Sequence, residues 1–222
     1  MRSFVEVVAE QRSAEWFSAR LGRLTGSRAK DMLATIKSGE AAARRDYRTQ
    51  LVCERLTGQI QEDGFVNAVM ERGIELEPVA FAAYEGITGN LVQRSGFLAH
   101  TAHMAGCSLD GHIGDYEGIL ELKCPKSATH LRYLRDGGVP SDHLPQVLHN
   151  LWISGAAWCD FVSFDDRFPE NLQLFRVRIE RDDAQIADYE RKALAFLAEV
   201  ENEVAAVTTM NGIGAVLREA VA

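Results

Sequence analysis

An apolar run that contains one acid and one base constrains the fold of this 222-residue chain most strongly. Residues 118 to 125 read Gly-Ile-Leu-Glu-Leu-Lys-Cys-Pro. In an extended strand, Glu121 and Lys123 lie on one face and Leu122 lies on the other. A strand this apolar is expected in a sheet that is covered on both faces. An unpaired charged group there costs free energy, or its pKa shifts so that it becomes neutral. The run therefore predicts a buried strand whose charged residues have partners.

Asp110 is the candidate partner from the segment before this strand. It lies in Cys-Ser-Leu-Asp-Gly, and the glycine-flanked residues 114 to 118 between the two segments have the composition of a turn. If the segments pair as a hairpin, Asp110 and Glu121 approach each other. Two adjacent carboxylates repel unless a hard cation such as Mg²⁺ lies between them. The pattern therefore predicts a metal site, with Lys123 facing a water molecule.

Asp, a spacer and Glu-x-Lys form the arrangement found in PD-(D/E)XK nucleases, which this stretch resembles. A chain with 32 acidic and 24 basic residues also meets such a pattern by chance. Taken alone, the motif leaves open a charged surface hairpin with no catalytic role.

Length and composition indicate one globular domain spanning residues 1 to 222, with a core over about 13 to 200 and a tail over about 203 to 222. No apolar run approaches membrane-spanning length, and the N-terminal residues do not have the pattern of a signal peptide. The four cysteines are far apart, which favours neither a zinc site nor a disulfide framework. We expect a cytoplasmic protein without membrane association.

The net charge of −8 argues at first against a nucleic-acid partner, because phosphate binding draws on positive surface. The charge is distributed unevenly, however. Residues 20 to 55 hold nine basic and four acidic side chains, whereas residues 180 to 203 hold eight acidic and three basic ones. This asymmetry favours a basic working face and an acidic outer face, although solvated helix faces produce the same counts.

Periodicity predicts an α/β fold in which helices flank one central mixed β-sheet. Along the chain, four predicted helices come first, followed by three strands, two helices, two strands and a final helix. Helices are expected over 13–21, 27–38, 40–57, 68–85, 126–136, 143–154 and 183–200, and strands over 89–98, 103–110, 118–124, 159–164 and 172–179.

Ser13 and Ser27 have the position of N-caps for the first two predicted helices. A capped helix start presents free backbone N–H groups, which attract anions. Residues 25 to 29 are therefore a candidate site for a phosphate.

Glu77 is the unexpected acid of the predicted helix 68–85, because apolar residues at i−3, i+3, i+4 and i+7 share its stripe. The functional interpretation makes Glu77 a third acid at the metal site. The alternative is a boundary residue that reaches solvent. Pro78 is comfortable only in a first helical turn, which leaves the start of this helix open.

Five segments together resemble bacteriophage lambda exonuclease and its YqaJ-type viral recombinase relatives in order and rough spacing. The resemblance covers about residues 13 to 200. The segments are Trp16-(x)3-Arg20-Leu21-Gly22-Arg23-Leu24-Thr25-Gly26-Ser27, Gly73-(x)3-Glu77, Cys107-Ser108-Leu109-Asp110-Gly111, Leu120-Glu121-Leu122-Lys123-Cys124-Pro125 and Pro145-Gln146-Val147-(x)4-Trp152.

The resemblance implies a restriction-endonuclease-like PD-(D/E)XK fold and a Mg²⁺-dependent exonuclease. Such an enzyme hydrolyses the 5′-ended strand of duplex DNA and leaves 3′ single-stranded tails for recombination by strand annealing. The implied cofactor is two Mg²⁺ ions, for which Mn²⁺ can substitute. The implied partners are double-stranded DNA ends, a single-strand annealing protein and two further copies of the chain in a homotrimeric ring.

Matched position by position, the resemblance also implies roles for individual residues. Lys123 would orient or deprotonate the attacking water. Asp110, Glu121 and the carbonyl of Leu122 would hold the metals with Glu77 nearby, and Arg20, Ser27, Ser108 and Gln146 would bind a 5′ phosphate. Two positions depart from the family pattern, since Leu109 stands where relatives often have proline and Gly26 where alanine is common. Neither departure removes a ligand.

Two alternatives remain at this point. One is a nuclease related to the iron–sulfur exonucleases of CRISPR systems, against which the scattered cysteines argue. The other is a non-catalytic module that binds DNA ends on a decayed nuclease scaffold. The complete set of acids and lysine argues against decay.

Overall fold

The computed structural model describes residues 2–61 and 68–219, with side chains described for 2–61 and 71–210. Eight strands and seven α-helices lie within these residues, with short 3₁₀ turns at Gly26–Arg28 and Glu170–Leu172. The elements in chain order are β1 (Phe4–Val7), α1 (Ala14–Arg20), β2 (Leu24–Thr25), α2 (Ala29–Met32), α3 (Ala42–Thr57), α4 (Ala68–Thr88), β3 (Phe97–His100), β4 (Ala105–Ser108), β5 (Gly111–Ile113), β6 (Gly118–Lys123), α5 (Ser127–Asp136), α6 (Leu144–Ser154), β7 (Trp158–Phe164), β8 (Leu174–Glu180) and α7 (Asp183–Glu219).

The strands form two four-stranded mixed sheets with the orders β1-β3-β4-β2 and β5-β6-β7-β8. Strand β6 lies inside the second sheet, antiparallel to β5 and parallel to β7. The chain crosses from the first sheet to the second at Leu109 and Asp110, between β4 and β5. This mixed α/β architecture confirms the predicted fold class.

The predicted single sheet is divided in two because the β5–β6 ladder is short. Its paired residues run from Ile113 opposite Gly118 to Gly111 opposite Leu120 and go no further. Beyond this point the side chain of Asp110 accepts the hydrogen bond from the Leu122 N–H, at 2.6 Å. A side chain therefore takes the place of a neighbouring strand at the functional end of β6.

Strand β6 separates two hydrophobic clusters, as its alternation predicts. Leu120 and Leu122 pack with Phe81 of α4 on one face. Ile119 belongs to the larger cluster on the other face, which includes residues of α3, α6 and α7. Glu121 shares the face of Ile119, so its carboxylate lies on the α6 side of the sheet.

A buried acid fixes α4 against the second sheet. Asp160 of β7 is fully buried and accepts hydrogen bonds from the Tyr84 hydroxyl at 2.8 Å and from Arg178 of β8 at 2.8 Å. Arg176 of β8 also pairs with this carboxylate, at 3.2 Å, so the buried charge is compensated by several partners. Helix α4 runs through Pro78 without ending there, and this network helps to hold it in place.

The two predicted N-caps differ in outcome. Ser13 caps α1, since its Oγ accepts a hydrogen bond from the Trp16 N–H at 3.2 Å. The prediction for Ser27 was wrong, because Ser27 lies inside the 3₁₀ turn and α2 is only four residues long. Residues 25 to 29 therefore do not form the serine-capped helix start on which the predicted anion site was based.

Part of the expected basic face is neutralised by the acidic last helix. Arg44 of α3 forms a bidentate pair with Glu199 of α7, and Arg48 pairs with Glu203. Helix α7 continues through the segment assigned to a tail as far as Glu219, and residues 220–222 lie outside the described part of the chain. None of the described helices is both long and apolar enough to cross a membrane.

A buried histidine makes stability depend on pH. His149 of α6 donates from Nε2 to the Gly106 carbonyl at 2.9 Å, and its Nδ1 accepts from the Tyr189 hydroxyl at 2.8 Å. Burial lowers the pKa of His149 to about 4. Its unfolded pKa is about 6.5, so the neutral ring stabilises the fold above about pH 6.5, and this contribution is lost as the pH falls towards 4.

We expect the free energy of unfolding to fall by about 2 kcal/mol more in the wild type than in His149→Gln between about pH 7 and about pH 5. Urea denaturation at the two pH values measures this difference. Parallel losses in the two proteins would show that His149 is not the residue that titrates.

Candidate active site

The side chains of Glu121 and Lys123 project from the same face of β6 at its C-terminal end. The Glu121 side chain is 1% exposed, whereas that of Lys123 is 28% exposed, so the lysine reaches from the interior to the surface. The Lys123 ammonium pairs with Oε1 of Glu121. The buried acid that the sequence predicts therefore has a cation beside it.

Asp110 lies next to this pair because the short turn between β5 and β6 folds the chain back. Its Oδ2 lies 3.8 Å from the Lys123 Nζ and accepts the hydrogen bond from the Leu122 N–H. In a strand, the N–H and C=O of one residue project to the same edge. The Leu122 carbonyl is therefore directed to the edge at which Asp110 stands.

Burial raises the pKa of Glu121, the Lys123 charge opposes this, and Asp110 adds to it, which leaves the pKa well above that of an ordinary carboxyl. Desolvation acts on Lys123 in the opposite sense and lowers its pKa. The charges of Glu121 and Asp110 outweigh desolvation, so the pKa of Lys123 is raised overall. The two carboxylates thus favour the ammonium form of Lys123. Because they also repel each other, additional positive charge next to them would be stabilising.

Glu77 lies at the border of the same cleft. Its side chain is 26% exposed, which places it at the boundary between the interior and solvent. Its carboxylate forms an ion pair with the Arg94 guanidinium. The cleft has a volume of about 380 Å³. It is lined by Gln11, Arg12, Gly73, Ile74, Glu77, Asp110, Leu122, Lys123, Cys124, Pro125, Tyr133 and His143.

The residues at the end of β6 fit a hard divalent cation. Asp110, Glu121 and the Leu122 carbonyl supply oxygen atoms, which Mg²⁺ prefers, and Mg²⁺ retains several waters rather than needing a full protein cage. Glu121 Oε1 is buried, and its partner is a cation, the Lys123 ammonium. Within the described side chains, no three His, Cys, Asp or Glu residues lie together as a group that could hold a metal.

The residues predicted to bind a phosphate fall into a connected group and two outlying positions. Arg20 lies over the Trp16 ring at 4.2 Å, and the Trp16 indole N–H donates to Ser108 Oγ at 2.8 Å. Ser27 lies in the 3₁₀ turn, with its hydroxyl 3.4 Å from that of Thr25. Gln146 is half-buried in the first turn of α6, the helix that packs against this turn.

Three polar residues of the site are not among those predicted from the sequence. Asn150 of α6 donates from Nδ2 to Glu121 Oε2 at 3.1 Å. Tyr133 and His143 line the cleft and share a hydrogen bond of 3.1 Å. Burial, and then the charge of Lys123, lowers the pKa of His143 to about 4. The available signal for Asn150 was a polar residue within the apolar stripe of the predicted helix 143–154, four positions after Gln146.

A mixed α/β fold that brings an aspartate and a Glu-x-Lys strand end together defines the class of PD-(D/E)XK nucleases. The comparisons with known proteins agree with this class. The family model for the YqaJ-like viral recombinase domain matches residues 15–157, which is more than half of the chain. The chain therefore belongs to the YqaJ-like viral recombinase family.

Solved structures extend the likeness over most of the chain. The alkaline exonuclease LHK-Exo from Laribacter hongkongensis is 41% identical, with a TM-score of 0.80, covering 90% of this chain and 98% of that one. LHK-Exo in complex with dAMP gives the same identity and coverage and a TM-score of 0.82. A phage-related exonuclease from Haemophilus somnus 129PT, 14% identical, has a TM-score of 0.63 and covers 83% of this chain and 96% of its own, which shows the fold alone. A search of curated proteins gave no match.

Proposed function

We propose that this protein is a Mg²⁺-dependent exonuclease that hydrolyses the 5′-ended strand of double-stranded DNA and leaves 3′ tails for strand annealing. One observation carries the proposal. In a chain of the YqaJ-like family, Asp110, Glu121 and Lys123 meet at the end of a buried central strand. The likeness to exonucleases at 41% identity supports the same reaction class.

Asp110, Glu121 and the Leu122 carbonyl would hold the metal, with Glu77 at the cleft border. When bound, Mg²⁺ supplies positive charge at the phosphodiester and makes water a better nucleophile. Lys123 would orient the attacking water and stabilise negative charge that develops on the phosphate. The neighbouring carboxylates raise the pKa of Lys123, which favours the positively charged side chain that the second role requires.

Arg20, Ser108, Ser27 and Gln146 are the proposed contacts for the 5′ phosphate. The Arg20 guanidinium can grip a phosphate with two hydrogen bonds, and the Trp16 ring beneath it limits its orientations. Ser108 precedes Asp110 by two residues, an extended span of about 7 Å at most, which brings the proposed phosphate pocket close to the proposed metal site. The dAMP bound to LHK-Exo is a deoxynucleoside phosphate of the kind such a pocket would hold.

The finer features of the proposal concern assembly and partners. We infer a homotrimeric ring around DNA, a single-strand annealing protein as partner, two Mg²⁺ ions replaceable by Mn²⁺, and a single nuclease domain that acts in the cytoplasm. A non-catalytic module that binds DNA ends is the rival from a different class. Mg²⁺-dependent release of nucleotides from linear duplex, compared between wild type and Lys123→Ala, separates the two.

The metal assignment predicts that Asp110→Asn and Glu121→Gln each lower hydrolysis of linear duplex by at least about a hundredfold, because each variant removes a metal-binding charge. Binding of a DNA end, measured by fluorescence anisotropy, should be retained. Glu117→Gln is the matched control, since Glu117 is exposed at the turn before β6. Near-normal hydrolysis by either active-site variant would refute the assignment.

The phosphate pocket predicts that Arg20→Ala removes the preference for 5′-phosphorylated over 5′-hydroxyl ends, with a change in the rate ratio of about tenfold or more. The ratio is measured on the same protein sample, so partial loss of folded protein cancels. Arg45→Ala is the control, because Arg45 is exposed and pairs only with its neighbour Asp46 among the described residues. An unchanged ratio in Arg20→Ala would locate the phosphate elsewhere.

The ring predicts a particle mass near three chains in light scattering coupled to size exclusion, at the protein concentrations used for the nuclease assay. Sustained hydrolysis of long duplexes should accompany that mass, since a closed ring retains its DNA. A stable monomer with full activity would exclude the ring.

A further inference from the structure

Asn150 is the one described side-chain amide that touches the proposed metal-binding carboxylate. It is 1% exposed on the face of α6 that covers the sheet, and its Nδ2 donates to Glu121 Oε2 at 3.1 Å. Glu121 is equally buried. The hydrogen bond therefore forms away from solvent, where a charge-assisted bond is stronger and more directional than at the surface.

The two oxygens of Glu121 have different neighbours as a result. Oε2 is held by the Asn150 amide, whereas Oε1 is paired with the Lys123 ammonium. An amide carries no charge and cannot accept a proton from the carboxyl. Asn150 can therefore fix the plane of the carboxylate without competing for a cation at the other oxygen.

The opposite end of the Asn150 amide lies against the main chain at Gly26. A side-chain carbon at Gly26 would lie 2.5 Å from Asn150 Oδ1 and 3.3 Å from His149 Cδ2, so only glycine leaves the amide its place. Oδ1 is buried and has no hydrogen-bond donor among the described residues. A buried acceptor without a donor costs about 1–3 kcal/mol, so an amide at this position is not explained by stability alone.

We propose that Asn150 is a positioning residue that orients Glu121 for metal binding. The inference deepens the proposed function and rests on its assignment of Glu121 as a metal ligand. Groups that hold a ligand's second polar atom set its orientation, and their loss typically weakens metal affinity or activity by about 10- to 100-fold. Without Asn150, Oε2 of Glu121 loses this donor, and the carboxylate is free to rotate away from the orientation that the amide holds.

The test is titration of Mn²⁺ into the full-length, DNA-free protein by calorimetry. Asn150→Leu keeps the volume and removes the amide, and Asn150→Asp keeps the shape and replaces the donor with an acceptor. Both variants should bind Mn²⁺ at least about tenfold more weakly than the wild type. Thermal unfolding of the same samples establishes that each variant is folded at the titration temperature.

Ser154→Ala is the matched control. Ser154 lies one turn further along α6, is buried, and donates to the Asn150 main-chain carbonyl at 2.7 Å. Its loss perturbs the same helix without touching Glu121, so Mn²⁺ affinity should stay within about twofold of the wild type while the unfolding temperature falls. Equal weakening in Ser154→Ala and Asn150→Leu would overturn the positioning role, because a general disturbance of α6 would then explain both.

The outcomes separate this inference from the proposed function. If Glu121→Gln weakens Mn²⁺ binding and folded Asn150→Leu and Asn150→Asp do not, Asn150 has no positioning role and the metal site stands. If Glu121→Gln binds Mn²⁺ like the wild type, the metal assignment itself fails and the role of Asn150 falls with it.

Discussion

The buried carboxylate of Glu121 is the constraint on which the rest of the site depends. A charge inside a covered strand requires compensation, and three neighbours respond to it in different ways. Lys123 supplies a cation and Asn150 a neutral donor, whereas Asp110 adds a second negative charge nearby. Two carboxylates therefore share one ammonium group, so this arrangement is not the one that stability alone would favour. A further cation at this edge of the sheet would lower the electrostatic free energy of the pair.

The fold maintains this arrangement by ending a β-ladder early. Strand β5 stops pairing with β6 at Gly111, and the Asp110 side chain takes the Leu122 N–H instead. Helix α6 covers one face of β6 with Asn150, and α4 packs against the other face through Phe81. The cleft opens where the sheet loses its neighbouring strand, so the same local feature brings Asp110, Leu122 and Lys123 to the wall of the cleft, with Glu121 buried behind them.

Local pattern was sufficient to predict the strand that carries the site and the capping of α1 by Ser13. Alternation places Glu121 and Lys123 on one face whatever the rest of the chain does. The hydrogen bond from Asn150 could not be predicted in this way, because the register between α6 and β6 sets it. Ser27 failed as a cap because it lies inside the 3₁₀ turn Gly26–Arg28, and Arg28 takes the N-cap position of α2. The sheet is divided where the Asp110 side chain accepts the hydrogen bond that a neighbouring strand would otherwise accept from Leu122. Hydrophobic periodicity carries no information about such a contact.

Crystals grown with Mn²⁺ and measured for its anomalous scattering test the central claim most directly. The account predicts an anomalous peak at the end of β6, with oxygens of Asp110 and Glu121 and the Leu122 carbonyl at about 2.1 Å. The same crystals should show the Asn150 amide still on Glu121 Oε2. A peak elsewhere on the molecule, with Glu121 bound only to Lys123, would contradict it.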